Sequence, residues 1–206
     1  MIDRLLRIQH GAGAARDRWL HPLRRRAAKK MLWNYQGTSI LVVCQGNVCR
    51  SPFAEAVLKA SLPQGMEVRS AGFVSPGRCA PPDAVSVARR FGFDLTMHSS
   101  RRLTAGLVQA AGLIVVMNTQ QARDLIDRFA PTGQILVLGD LDSFPIEERG
   151  IPDPVKQSRE FFVDCYDRID RCARELGRVL HRAARARAPM YGEASLTPPA
   201  ASPRTA

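Results

Sequence analysis

The apolar run Ser39-Ile40-Leu41-Val42-Val43 leads directly into Cys44-Gln45-Gly46-Asn47-Val48-Cys49-Arg50-Ser51-Pro52, and a helix-forming stretch follows. A strand apolar on both faces, a short loop and a helix start, in that order, restrict the chain to an α/β architecture. The loop's backbone N–H groups can converge on one point, where the following helix adds its positive end. That is a geometry for holding a phosphate-like dianion. Cys44 would then sit beneath the anion, with Arg50 six residues on and able to fork two of its oxygens.

Each residue type in the string has a chemical reason. A thiol attacks phosphorus as its thiolate, which inward N–H dipoles, a helix N-terminus and Arg50 all favour. The same groups stabilise charge on the equatorial oxygens during phosphoryl transfer. Gln45, Gly46, Asn47, Val48 and Cys49 form the cradle. Gly46 permits close approach, and Asn47 tolerates a left-handed backbone better than other non-glycine residues. Ser51 can donate to the sulfur and ease its departure, and Pro52 in the first helical turn loses no hydrogen bond.

Charge is uneven along the 206 residues. The formal net charge is +11, which taken whole suggests nucleic acid or acidic lipid. Residues 1–30 carry nine Lys/Arg and two Asp, and residues 182–206 carry four Arg and one Glu. Residues 31–181 are left with seventeen basic and sixteen acidic groups. A nearly neutral body argues against a nucleic-acid-binding face. No apolar run approaches the ~18 residues of a membrane span, and the start of the chain lacks the ~7–15-residue apolar core of a signal peptide. An odd count of five cysteines does not suit a disulfide framework, and a catalytic thiolate needs a reducing compartment. A cytoplasmic location is expected.

Three segments are expected: a basic extension over 1–36, a domain over 37–185, and a disordered Pro/Ala-rich tail over 186–206. The extension reads as a partly disordered, solvated arm. A short helix over 1–9, a Gly/Ala break at 10–15 and Pro22 interrupt it; a basic amphipathic segment on an acidic membrane surface is the alternative. Within the domain, strands are expected at 39–43, 66–70, 112–117 and 135–138. Helices are expected at 52–61, 82–91, 103–110, 118–129 and about 159–184. The last shows the clearest period, with Phe162, Cys165, Ile169, Cys172, Leu176 and Val179 at spacings of three and four. Strands alternating with helices indicate a parallel sheet covered on both faces.

Taken together, residues 38–180 resemble the low-molecular-weight protein tyrosine phosphatases, of bacterial type. Beyond Cys44–Pro52, the resemblance includes Ser70-Ala71-Gly72, Pro82-Asp83-Ala84, His98, Met117 and Ile151-Pro152-Asp153-Pro154. The nucleophile precedes the Asp-Pro loop, the reverse of the larger tyrosine phosphatases, and Val43 stands where those commonly have His. The resemblance implies a three-layer sandwich around a four-stranded parallel sheet in the order 2-1-3-4, with the active loop after strand 1 at a switch point. It implies Cys44 as nucleophile, Arg50 as phosphate clamp and Asp153 as general acid and later base; were Asp153 not the acid, Asp140 and Asp142, in the loop after the fourth strand, would be the next candidates. It also implies Asn47, Ser51, Ser70 and His98 as the network that shapes the loop. Three positions depart from the family pattern: Val155-Lys156 in place of aromatic residues after the Asp-Pro pair, Gln45 after the nucleophile, and Ala111-Gly112 where an Asp is usual.

Cys49 has a counterpart in many family members, where the pair with the nucleophile forms a reversible disulfide; a small buried loop residue is the other reading. Cys165 and Cys172 are seven apart, a spacing similar to the redox pair of thioredoxin-coupled arsenate reductases. On one helix they would lie ~10 Å apart along the axis, beyond disulfide reach, so they are expected in the core. The four histidines are scattered and no cysteine pair has zinc-site spacing, so no metal and no cofactor are expected. The reading is a phosphotyrosine phosphatase working through a cysteinyl-phosphate. An arsenate reductase and a non-catalytic phosphotyrosine-binding module are the alternatives. The expected partner is a phosphotyrosine protein, such as a bacterial tyrosine kinase of surface-polysaccharide synthesis.

Overall fold

The computed structural model describes residues 2–187, with side chains from residue 13 onward. The strands β1 (Ser39–Cys44), β2 (Glu67–Gly72), β3 (Leu113–Val116) and β4 (Gln134–Val137) form one parallel sheet in the order β2-β1-β3-β4. Central β1 and β3 are apolar and almost wholly buried, as strands covered on both faces must be. The edge strands expose Glu67, Arg69 and Gln134.

Side chains alternate across the pleat. Ile40, Val42 and Cys44 face one layer, with the helices α2 (Arg50–Ser61), α3 (Pro82–Arg90) and α6 (Arg159–Arg187). Leu41 and Val43 face the other, with α4 (Ala105–Ala110) and α5 (Thr119–Phe129). Thr104 and Asn118 cap α4 and α5 by accepting from the backbone N–H of Leu107 and Gln121. A 3-10 turn, Leu138–Leu141, follows β4. Layer one closes tightly: Phe53 of α2 stacks on Tyr166 of α6 with centroids 4.0 Å apart. A Cβ at Gly177 would come within 2.3 Å of the Ser61 carbonyl.

The N-terminal segment departs from the expected arm. It forms one helix, α1 (Ile2–Asn34), running through Pro22 and through the expected Gly/Ala break. Ala28 and Leu32, with Tyr35 just after the helix, are buried in the layer-one core. Arg25 and Lys29 pair with Glu175 of α6. His21 Nε2 donates to the Asp142 carbonyl at 3.0 Å, and Asp17 accepts from the Arg149 backbone N–H at 3.0 Å. Tertiary docking along one face supplies what propensity lacks, and the Pro22 ring lies on the exposed side. Tyr35 also accounts for Gly112: a Cβ there would sit 2.8 Å from the Tyr35 hydroxyl, so a side chain such as Asp has no room. The tail expected over 186–206 lies, past Arg187, outside the described residues.

Candidate active site

The register sets Cys44, the last residue of β1, opposite Gly72, the last of β2. The loop after Cys44 therefore folds over the Ser70-Ala71-Gly72 segment. A Cβ at Gly72 would lie 2.8 Å from the Asn47 nitrogen, so only glycine lets the loop settle there. Asn47 takes the left-handed conformation, with φ of 50°, as expected of the one Asn in the loop.

Asn47 organises the loop from a fully buried position. Its Nδ2 donates to Ser51 Oγ and to Ser70 Oγ, each at 2.8 Å. Its Oδ1 accepts from the Arg101 backbone N–H at 2.7 Å. His98 lies 2.6 Å from the Asn47 carbonyl through Nε2; a carbonyl only accepts, so Nε2 carries the proton. The same logic orients Ser51. Its oxygen accepts from Asn47, leaving the hydroxyl hydrogen for Cys44 Sγ at 3.0 Å. The Asn47 backbone N–H adds a second donor to that sulfur at 3.2 Å. Ser70 in turn donates to Glu55 of α2 at 2.5 Å. The polar chain thus runs from Glu55 through Ser70, Asn47 and Ser51 to the sulfur: Ser70 and Glu55 anchor Asn47, and Asn47 in turn orients the Ser51 hydroxyl toward the sulfur.

Arg50, 3% exposed, opens α2. Its Nη1 donates to the Ile151 carbonyl at 3.0 Å and its Nη2 to the Asp153 carboxylate. Its Nε is buried with no protein partner. The Asp153 loop is held independently by the Ile151 N–H on the Met117 carbonyl, at 2.8 Å, and by Arg168 on the Gly150 carbonyl, at 2.8 Å. Cys44, Gln45, Gly46, Val48, Cys49, Arg50 and Asp153 line one cleft of about 200 Å³. Val74 and Val155 supply apolar wall and Arg78 a cation at its rim. Ser70 and His98 stand behind the loop rather than in the cleft.

Asp140 and Asp142 do not reach this cleft. Asp140 is forked by Arg149, with bonds of 2.8 and 2.7 Å. Asp142 accepts from Arg168 Nε at 3.0 Å and Arg171 Nε at 2.8 Å. Burial alone would raise the Asp142 carboxyl, but hydrogen bonds from Arg171 and the Phe144 N–H, with the Arg171 and Arg168 charges, hold it below the usual carboxylate range. Asp140 closes the 138–151 segment on itself and Asp142 ties it to α6, so neither remains a candidate for the general acid.

A model of the low molecular weight phosphotyrosine protein phosphatase family matches residues 39–186. The chain belongs to that family. The probable low molecular weight protein-tyrosine-phosphatase EpsP of Ralstonia nicotianae is 40% identical over 135 residues, covering 65% of this chain and 89% of that one. Low molecular weight protein-tyrosine-phosphatase Wzb of Salmonella typhimurium is 40% identical over 145 residues, covering 69% and 93%. The crystal structure of the Erwinia amylovora tyrosine phosphatase AmsI superposes with a TM-score of 0.61 at 35% identity, covering 68% and 91%. An arginine phosphatase, YwlE of Geobacillus stearothermophilus, superposes with a TM-score of 0.66 at 26% identity, covering 73% and 97%. The family match begins at residue 39 and leaves all of α1 outside it.

Several supports of this phosphatase loop were not read from the sequence. Glu55, Arg78, Val74 and Arg101 carry no local signature, since each acts through a neighbour brought in by the fold. Tyr166, whose hydroxyl donates to the Cys49 carbonyl at 3.0 Å, was within reach: it stands four residues after Phe162 and three before Ile169. Cys165 and Cys172 are both buried, as expected. Burial first, against the lowering field of Arg50, pushes the Cys165 thiol up to about 12, and burial raises Cys172 as well. Neither suits a redox relay, so the arsenate reductase reading is not favoured. With thiol, arginine and carboxylate all in place, neither is a binding module without catalysis.

Proposed function

We propose that Cys44, Arg50 and Asp153 hydrolyse phosphotyrosine through a cysteinyl-phosphate. The observation that carries this is the sulfur's setting: two donors on Cys44 Sγ, and beside it an arginine that already touches the carboxylate across the cleft. Arg50 Nε, buried and unpartnered, remains as a donor for a phosphate oxygen. The Cys44 thiolate attacks phosphorus, and the bond to the tyrosyl oxygen breaks. Asp153 gives its proton to the departing phenolate. Its carboxylate then takes a proton from the water that attacks phosphorus, and phosphate leaves. Ser51 donates to the sulfur as it departs, and no metal takes part.

Val74 and Val155 make an aliphatic slot for the phenolic ring in place of an aromatic wall. The substrates are phosphotyrosine proteins, and the likeness to bacterial members supports a cytoplasmic tyrosine kinase of surface-polysaccharide synthesis among them. Rapid acid quench of the enzyme turning over an aryl phosphate should leave one phosphate on the Cys44 peptide by mass spectrometry. Cys44→Ser should lose turnover while still binding vanadate, because the loop donors and Arg50 remain. A Cys44→Ser variant retaining activity within tenfold of wild type would contradict the covalent route.

A further inference from the structure

The docked helix α1 has a second face that the body does not use. At 3.6 residues per turn, Arg16, Trp19, Leu23, Arg26, Lys30 and Trp33 fall within an arc of about 100°. That arc lies opposite Asp17, His21, Ala28 and Leu32, which hold the helix to α6 and to the 138–151 segment. Trp19 is 78%, Leu23 64% and Trp33 45% exposed. They are half of the six large hydrophobic residues exposed among the described residues, brought together on one stripe. Arg16, Arg26 and Lys30 enter no ion pair among the described residues, unlike Arg24, Arg25 and Lys29 around the docked side. Over residues 13–34 the arc contains no Asp or Glu.

A helix face that is merely solvated has no use for two tryptophans and a leucine. Interleaved with unpaired cations and free of acids, the stripe matches a surface that is anionic outside and apolar just beneath. We infer that this face of α1 rests on an anionic phospholipid bilayer, with the side chains of Trp19, Leu23 and Trp33 entering the interface and Arg16, Arg26 and Lys30 meeting the headgroups. A second copy of the chain is a poor occupant, because two such faces carry the same charge. A span is excluded for α1, since no helix of the described residues is long and apolar enough to cross a membrane. The inference is independent of the catalytic reading, because no residue of the arc lines the cleft.

The chain has two tryptophans, and both lie on this stripe, so intrinsic fluorescence reports on it alone. The test adds large vesicles of phosphatidylcholine, with or without one third phosphatidylglycerol, to the full chain. The expected result is a blue shift and co-sedimentation with the anionic vesicles only, weakening as salt is raised. The triple variant R16E/R26E/K30E should partition at least a hundredfold less, from about fivefold per basic residue. W19A/L23A should partition severalfold less with the charge unchanged. All six positions are exposed or nearly so, and turnover of an aryl phosphate should stay at the wild-type level in both variants. Absence of a shift in wild type, an equal shift on uncharged vesicles, or a triple variant that binds as wild type would overturn the inference. So would a concentration-dependent dimer that W19A/L23A dissolves.

Discussion

Arg50 donates to the carboxylate of Asp153, joining the proposed phosphate clamp to the proposed general acid across 103 positions of sequence. The same guanidinium holds the carbonyl of Ile151, two residues before that acid. One planar group thus holds the Asp153 loop and, in the proposed reaction, offers its unpartnered Nε–H to the substrate. Both tasks depend on geometry rather than on charge.

Arg50→Lys should therefore be nearly as damaging as Arg50→Ala. An ammonium is a point charge and cannot serve Ile151, Asp153 and an oxyanion in fixed directions. The loss in kcat/KM should be on the order of 10²–10⁴, as for other donors to a transition state. Steady-state kinetics on an aryl phosphate checks this; a Lys variant within a few-fold of wild type would show that charge alone suffices.

The Cys44–Cys49 pair should form a disulfide only slowly at neutral pH. Burial, and then the neighbouring Cys44 and Asp153, push the Cys49 thiol up to about 12, so little of it is thiolate at pH 7. Attack of Cys49 on an oxidised Cys44 sulfenic acid, releasing water, should speed up about tenfold per pH unit. Mass spectrometry of peroxide-treated protein should find more linkage and less sulfinic acid at pH 8.5 than at 7.0, and Cys49→Ser should lose activity irreversibly sooner. Sulfinic acid alone at both pH values would remove Cys49 as a resolving thiol.

Glu175 ties α1 to α6, and that tie should be lost in acid. Burial would raise this carboxyl, but the Lys29 hydrogen bond and the charges of Lys29, Arg178 and Arg25 hold it below the usual range. Asp17 is also held low, by Arg24 and the Arg149 N–H against its own burial. A carboxylate depressed in the folded state stabilises above its unfolded value near ~4 and stops doing so as pH falls through the folded value. Glu175→Gln should cost about 1–3 kcal/mol at pH 7, less than a fully buried pair because Arg25 and Lys29 keep 31% and 35% of their surface. Denaturant melts should show that difference at pH 7 and its loss as pH falls through the depressed folded value. Equal midpoints at pH 7 would leave the ion cluster without energetic weight.

The sheet and the reactive loop were legible because each is encoded locally. Ser39–Val43 reads as a buried strand from five neighbours, and Cys44, Arg50 and Ser51 are spaced along a single turn. Each of the four strands and five helices expected in the domain is found, with bounds shifted by two residues at most, the last helix by three. What escaped depends on distant partners. Glu55 matters through Ser70, and Gly112 is small because Tyr35 fills its space. The extension looked like a broken arm because Gly and Pro weigh against a helix locally, whereas Glu175, Arg149 and Asp142, more than a hundred residues away, hold it. Asp140 and Asp142 looked eligible as acids until Arg149, Arg168 and Arg171 were seen to occupy them.

The central claim is that Asp153 protonates the leaving oxygen while Cys44 takes the phosphoryl group. The most direct measurement compares Asp153→Ala with wild type on two substrates whose leaving groups differ. Phosphotyrosine expels a basic phenolate, so loss of the acid should cost the full ~10²–10⁴-fold typical of proton transfer. p-Nitrophenyl phosphate expels a phenolate stable without a proton, so formation of the cysteinyl-phosphate, read from the burst of nitrophenolate, should slow far less. The basic limb of the pH profile should flatten in the variant. An equal loss of the burst rate with both substrates, with the basic limb intact, would contradict the assignment of Asp153.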